Sequence, residues 1–343
     1  MKCLAVGDSM IPRKYFDMAL ENDPLFTSYE SLPFLEDMPR NDVRDLIRRM
    51  ETEYSTYHPV PAEVEAAIGD VEVLFIHLCP VPKTLIARAK KLKYIVTARG
   101  GVENIDVEAA KAHGITIINC PAHNAYAVAE YTIGLMLCEL RNIARADHAL
   151  KSGVWREKYP DSAAIPELRN CKVGLVGFGT IGRLVAERLR VFGTTVLVSD
   201  PFVPAEAIEA VGCVPVSMDA LLAQSDIISL HGRIPADAPP LIGAAEFAKM
   251  KKTAWLINTA RAVLVDMDAL YTALKTQQIM GAAIDVFPVE PLPEHYPLLE
   301  LDNITITNHR GGDTIDSYIA APPLLIGYLH ELLETGRTRF MIR

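Results

Sequence analysis

The sequence predicts an α/β protein built from two doubly wound, parallel-sheet domains with a cleft between them. Three observations carry that expectation. The 343 residues exceed what one core usually organises, so two domains are expected. Short apolar runs alternate with helical stretches along most of the chain, and several of those runs are apolar at every position, as strands buried on both faces must be. One stretch, residues 172–201, reads as strand, glycine turn, helix, strand and acid.

Taken in order, residues 2–6 form a first strand. Gly7 and Asp8 interrupt its apolar run, which therefore reads as a strand rather than a signal peptide. A helix over 12–20 follows. Residues 41–54 predict a charged amphipathic helix, with Val43, Leu46, Ile47 and Met50 at helical spacing on one face. Strands at 72–78, 94–98 and 115–118 alternate with helices at 83–91 and 107–112. Residues 122–150, rich in Ala and Leu, predict a long helix with Gly134 inside it. A polar loop over 151–170 leads into the glycine stretch. Beyond Asp200, helices at 205–210, 218–224, 244–249 and 267–276 alternate with strands at 213–216, 226–230, 254–258, 280–286 and 304–307. A last amphipathic helix over 315–334 is expected to return to the first domain. The expected division is therefore residues 1–120 plus 311–343 as one discontinuous domain and 121–310 as the other.

Composition excludes several classes of function. Half the residues are hydrophobic and 22% are charged, as in soluble globular proteins. A net charge of −9 and a pI near 5.5 offer no electrostatic footing for nucleic acid or an anionic membrane. No apolar run approaches the roughly 18 residues that a membrane span needs. The six cysteines are scattered singly, with no C-x-x-C. They read as reduced thiols of a cytoplasmic protein, not as disulfides or a zinc site, and no metal is expected.

The glycine stretch carries the first chemistry. Gly177, Gly179 and Gly182 are spaced G-x-G-x-x-G between a strand and a helix. The first permits a tight turn, the second lets backbone approach a pyrophosphate, and the third lets the helix pack close. The helix N-terminus, beginning at Thr180 and Ile181, offers free N–H groups and a positive dipole to phosphates. Asp200 ends the second strand, about 20 residues beyond the turn. A carboxylate there accepts ribose hydroxyls and repels a 2′-phosphate, which favours NAD over NADP. This half of the chain is thus expected to be Rossmann-like.

Ligands of open α/β sheets bind at the carboxyl ends of strands. The polar residues found there are Asn258-Thr259-Ala260-Arg261, Asp285, Glu290, His309 and His231. Asp285 in an apolar strand is costly to bury without partners; it is expected either to serve structure or to face the nicotinamide. His231 is as readily a structural hydrogen-bonder as a cofactor contact. His77, His113, His123, His148 and His295 belong to no constellation and read as structural.

Five segments together resemble one family: 98–110 (ARGGVENIDVEAA), 177–182 (GFGTIG), 256–266 (LINTARAVLVD), 281–293 (GAAIDVFPVEPLP) and 301–314 (LDNITITNHRGGDT). The chain is similar, over about residues 70–320, to the D-isomer-specific 2-hydroxy acid dehydrogenases, in their phosphoglycerate dehydrogenase-like branch. The resemblance implies two Rossmann-like or flavodoxin-like domains and NAD as cofactor. It implies Arg261, Glu290 and His309 as the catalytic set. The implied cofactor contacts are Gly177, Gly179, Thr180, Ile181, Gly182, Asp200, Pro201, His231, Thr259, Ala260 and Asp285. Arg99, Gly100 and Gly101 are implied to bind substrate, a small 2-oxo or 2-hydroxy acid, and the long helix is implied to support a homodimer. The chemistry suits these residue types. An arginine fork holds a carboxylate and polarises the neighbouring carbonyl. A histidine supplies the proton that an alkoxide needs after hydride transfer, and a carboxylate behind it fixes its tautomer and raises its pKa.

The sequence also departs from the family pattern. Ala262 follows the arginine where Gly is usual, Met267 stands where Glu is common, and Asn308 precedes the histidine where many relatives have Pro. His231-Gly232-Arg233 replaces His-x-Pro, and Arg99 replaces a small residue. Arg99 and Arg233 suggest a sugar acid or phosphorylated acid as substrate; the competing reading is that they pair with nearby acids. Two rival functions are a non-catalytic NAD-binding sensor or corepressor on the same fold, and a formate dehydrogenase. In the latter Gln tends to replace the Glu behind the His, so Glu290 argues against it.

Overall fold

The computed structural model describes residues 1–39, 42–43, 46–47, 49, 59–159, 165–235 and 238–342. The amphipathic helix expected over 41–54 lies mostly outside them, although Val43 and Leu46 are described and buried. The chain divides into two units, Met1–Asn124 with Thr314–Arg343, and Ala125–Asp313.

The first unit begins with β1 (Lys2–Gly7), α1 (Arg13–Leu20), β2 (Ser28–Pro33) and α2 (Ala62–Ala67). It continues through β3 (Val73–Ile76), α3 (Lys83–Arg88), β4 (Tyr94–Thr97), α4 (Val107–Ala112) and β5 (Thr116–Asn119). The strands pair in parallel in the order β5-β4-β3-β1-β2. β3 is buried at all four positions, as its unbroken apolar run requires. β2 was not expected. Its sequence, SYESLP, is an exposed edge with no apolar face to give it away.

The second unit opens with α5 (Ala125–Leu140) and α6 (Ile143–Lys151). The single long helix expected over 122–150 is thus two. The break falls at Asn142, whose φ of 54° is left-handed, and not at Gly134. Asn tolerates that conformation because its short polar side chain bonds locally. Arg145 on α6 pairs with buried Glu139 on α5 at 2.9 Å, across the break. Then follow β6 (Lys172–Val176), α7 (Thr180–Val191), β7 (Thr195–Ser199), α8 (Ala205–Glu209), β8 (Val214–Pro215), α9 (Met218–Gln224) and β9 (Ile227–Leu230). The unit ends with α10 (Ala244–Phe247), β10 (Trp255–Asn258), α11 (Met267–Lys275), β11 (Gly281–Ile284) and β12 (Ile304–Ile306). The parallel order is β12-β11-β10-β9-β6-β7-β8. Alternate strand residues feed two apolar layers: Val173, Leu175 and Ile257 pack on one face, Ile228, Leu256 and Ala282 on the other.

The chain then closes the first unit. α12 (Ile315–Thr335) buries Ala321, Leu325, Leu329 and Leu332 in that unit's core and ends at Gly336, φ 74°. A short β13 (Met341–Ile342), also unexpected, pairs antiparallel with β5. No helix among the described residues is long and apolar enough to cross a membrane.

Candidate active site

In the second unit the order of strands reverses at β6, which lies between β9 and β7, and the glycine turn leaves its carboxyl end. Gly177 has φ of 97°, and a Cβ there would lie 2.5 Å from the backbone nitrogen of Gly232. A Cβ on Gly182 would meet the Gly177 carbonyl at 2.4 Å. Both positions therefore exclude side chains. A Cβ on Gly179 would meet nothing within 4 Å, so that face of the turn is open. Gly179 caps the twelve-residue α7 and has no side chain to offer a capping bond. A helix N-terminus of this kind suits an anion such as a pyrophosphate.

Asp200 reaches this turn from the end of β7. Its Oδ2 accepts from the Phe178 N–H at 2.7 Å and its Oδ1 from the Phe202 N–H at 2.8 Å. Two bonds leave a carboxylate with acceptor capacity for ribose hydroxyls. Pro201, next in the chain, is exposed. An open glycine face, an uncapped long helix and a partly exposed acid fit a dinucleotide.

Moving along the sheet, His231 follows β9. Its backbone N–H bonds the Val176 carbonyl at 2.8 Å. Its Nε2 is buried without a hydrogen-bond partner, and burial lowers its pKa to about 4, which keeps the ring neutral. After β10, Asn258 ties the next turn: its Oδ1 accepts from the Ala260 N–H and its Nδ2 donates to the Arg261 carbonyl. Thr259 is buried and shares a 2.7 Å hydroxyl bond with Thr132 of α5, so its side chain is committed to the scaffold. Arg261 is exposed; its one side-chain bond, from Nη1, goes to the Ala260 carbonyl. Ala262 does not adopt a positive φ, so the missing glycine causes no strain. Met267 is the first residue of α11, a helix capped by Asp266.

His309 and Glu290 meet at the ends of the last two strands, the His309 Nδ1–H donating to Glu290 Oε2 at 2.8 Å. Glu290 is itself held, its Oε1 accepting from the Phe287 N–H at 2.9 Å. The Glu290 bond raises the His309 pKa above its ordinary 6.5; burial opposes the rise, Glu290 and Asp285 charges add to it, and Arg261 opposes it. The His309 backbone is left-handed, with φ 56°. Asp285 holds that loop in place. Its Oδ1 accepts from Thr307 Oγ1 at 2.6 Å and the Arg310 N–H at 2.9 Å, and its Oδ2 from the Gly311 N–H at 2.9 Å. Asp285 is 1% exposed, and the partners that offset its burial are backbone and hydroxyl groups of the histidine loop.

In the first unit, the loop of Arg99, Gly100 and Gly101 follows β4. Asn119 Nδ2 donates to the Gly100 carbonyl at 2.7 Å, and the Cys120 N–H to the Arg99 carbonyl at 2.8 Å. Arg99 is buried and pairs with Glu103 at 3.2 Å. The Glu103 carboxylate lies where a Cβ on Gly101 would stand. Pairing of Arg99 with a nearby acid was one of the two readings of the sequence, and Glu103 is that acid. Asp8 was missed. Fully buried after β1, it accepts from the Met10, Ile11 and Leu78 N–H groups and from His77 Nδ1 at 2.9 Å. His123, read as structural, is half-buried, and desolvation first of all holds its pKa down to about 4.

Residues 133–311 match the family model described as "D-isomer specific 2-hydroxyacid dehydrogenase, NAD binding domain". The chain is 39% identical over 274 residues to a D-3-phosphoglycerate dehydrogenase of Methanocaldococcus jannaschii, covering 79% of this chain and 52% of that protein. It thus spans about half the length of that relative. It is 36% identical over 275 residues to a hydroxypyruvate reductase of Thermotoga maritima, covering 79% of this chain and 88% of that one. The fold also matches, over the full length of both chains, an NAD-complexed D-isomer specific 2-hydroxyacid dehydrogenase structure from Lactobacillus delbrueckii ssp. bulgaricus, with TM-score 0.79 and 24% identity. NAD is therefore the cofactor, and the chain belongs to the D-isomer-specific 2-hydroxyacid dehydrogenase family.

Proposed function

We propose that this protein interconverts a small 2-oxo acid and its D-2-hydroxy acid with NAD as hydride carrier. The observation that carries this reading is the His309–Glu290 pair at 2.8 Å, set on the same sheet edge as Arg261 and the glycine turn. When bound, the nicotinamide supplies or accepts the hydride. Arg261 holds the substrate carboxylate and draws on the carbonyl oxygen. Glu290 keeps a proton on His309 Nδ1, which leaves Nε2 to deliver its proton to the oxygen that hydride arrival makes basic. In the oxidative direction Nε2 takes that proton back. The 99–101 loop is assigned to the substrate through the Gly100 and Gly101 N–H groups, as two successive glycines suit an anion.

Asp200 and Pro201 are assigned to the adenosine ribose, Gly179, Thr180 and Ile181 to the pyrophosphate, and His231, Thr259, Ala260 and Asp285 to the nicotinamide side. For Asp285 the geometry favours holding the histidine loop. The dehydrogenase and reductase names of the relatives favour catalysis over a sensor or corepressor role. We further propose a cytoplasmic homodimer. Six unpaired cysteines support the compartment. Exposed Tyr126, Ile143, Leu150, Val154 and Trp155 on and after α5 and α6 supply an apolar surface for the contact; a monomer by analytical ultracentrifugation would remove that part of the reading.

The test is NADH oxidation with glyoxylate, pyruvate and hydroxypyruvate, with NADPH as control. Turnover of at least one acid with NADH preferred is expected. Binding of NADH with no turnover of any acid, in either direction, would return the protein to the sensor reading.

A further inference from the structure

The two arginines that set this sequence apart from its family pattern have different surroundings. Arg99 is buried against Glu103. Arg233 forms no hydrogen bond or ion pair with the described residues and is exposed. Its position follows from strand register. Leu230, the last residue of β9, pairs with Asn258, the last of β10, and with Val176, the last of β6. Arg233 and Arg261 each lie three residues beyond a paired position on adjacent parallel strands. Gly232 lies against Gly177 of the glycine turn, so the loop that carries Arg233 runs beside the dinucleotide turn. The two guanidinium groups are close enough that Arg261, after burial, helps hold Arg233 below the usual arginine range. The carboxylates of this edge, Asp285 and Glu290, are committed to the 307–311 loop and His309.

Two like charges side by side, without a carboxylate between them, are stabilised by an anion. We propose that Arg233 and Arg261 form a two-guanidinium seat, in which Arg261 takes the 2-oxo acid carboxylate and Arg233 a second oxyanion. That oxyanion is either a phosphate or carboxylate at the far end of the substrate, or the pyrophosphate of the dinucleotide. The assignment of Arg261 rests on the function proposed above; the seat itself rests on the register and the unmatched charge.

The experiment compares wild type with Arg233→Gln on three readouts: the ratio of kcat/KM for 3-phosphohydroxypyruvate over hydroxypyruvate, the NADH dissociation constant by fluorescence titration, and calorimetric binding of 3-phosphoglycerate and D-glycerate to the NADH-loaded protein. Removing one charge-assisted hydrogen bond to an oxyanion weakens binding roughly 10- to 100-fold. If the substrate carries the oxyanion, the kinetic ratio falls by about that factor and NADH affinity holds. If the dinucleotide carries it, NADH affinity falls by about that factor and the ratio holds. All readouts within about twofold of wild type, in a variant with an unchanged thermal midpoint, would overturn the seat. Should wild type turn over neither oxo acid, the functional reading fails by itself, and the two binding measurements still decide the seat.

Discussion

At the carboxyl edge of the first sheet, charge is matched locally. Asp8 accepts from three backbone N–H groups and His77, and Arg99 pairs with Glu103. At the same edge of the second sheet, matching is selective. Glu290 holds His309 and Asp285 holds its loop, while Arg261, Arg233 and the His309 Nε2 retain donors without a partner among the described residues. Apart from the short β13, both sheets are parallel, and both end in polar turns, so architecture alone does not separate them. What separates them is whether the charged groups have oppositely charged partners among the described residues. An edge with spare, oriented donors can bind and transfer protons; an edge without them mainly holds its own loops.

The largest expected effect breaks the second edge. His309→Ala should lower turnover by roughly 10²–10⁴-fold, the usual worth of general acid–base catalysis, with NADH affinity held. Stopped-flow turnover beside a fluorescence titration reads both, and turnover near the wild-type rate would sink the assignment. Next comes the first edge. Asp8→Ala strands three N–H groups and the His77 ring, and should cost about 2–4 kcal/mol of stability, seen in the denaturant midpoint. NADH affinity measured below the transition should not move; if it fell, the two edges would be coupled rather than separate.

The smallest effect sharpens the comparison through pH. Because Glu290 raises the His309 pKa, the pair stabilises the folded protein fully below about pH 6.5, the unpaired value, and this contribution is lost as pH rises through the higher folded value. The reductive rate needs the imidazolium, so it should fall over the same rise. Glu290→Gln removes the leading cause of the shift, and its reductive pH midpoint should move down, with a rate loss of about tenfold at neutral pH. A midpoint that stays where it was would mean that another group sets it.

The glycine turn was legible because its demands are local. A positive φ at Gly177 and a close approach at Gly182 are satisfied by the residue type itself. The alternation of strands and helices was legible for a similar reason, since burial on both faces leaves unbroken apolar runs. Partnerships across the chain were less so. Asp285 was expected to lean toward the cofactor, but its three donors lie more than twenty residues on. The Arg99–Glu103 pair has helical spacing outside any helix, so the usual spacing rule gave no signal there. The exposed β2 has no apolar pattern to read, and the break in the long helix falls at the left-handed Asn142 and not at Gly134.

The buried carboxylate at Asp285 has a consequence for how this loop can change. It grips the side chain of residue 307 and the main chain of 310 and 311, and passes over residue 308. Asn308 is exposed and bears none of the anchoring. The placement of His309 is thus insulated from its own immediate neighbour, and residue 308 can be an asparagine while the histidine keeps its mooring. Drift in the loop is tolerated at 308 because the anchor lies on another strand.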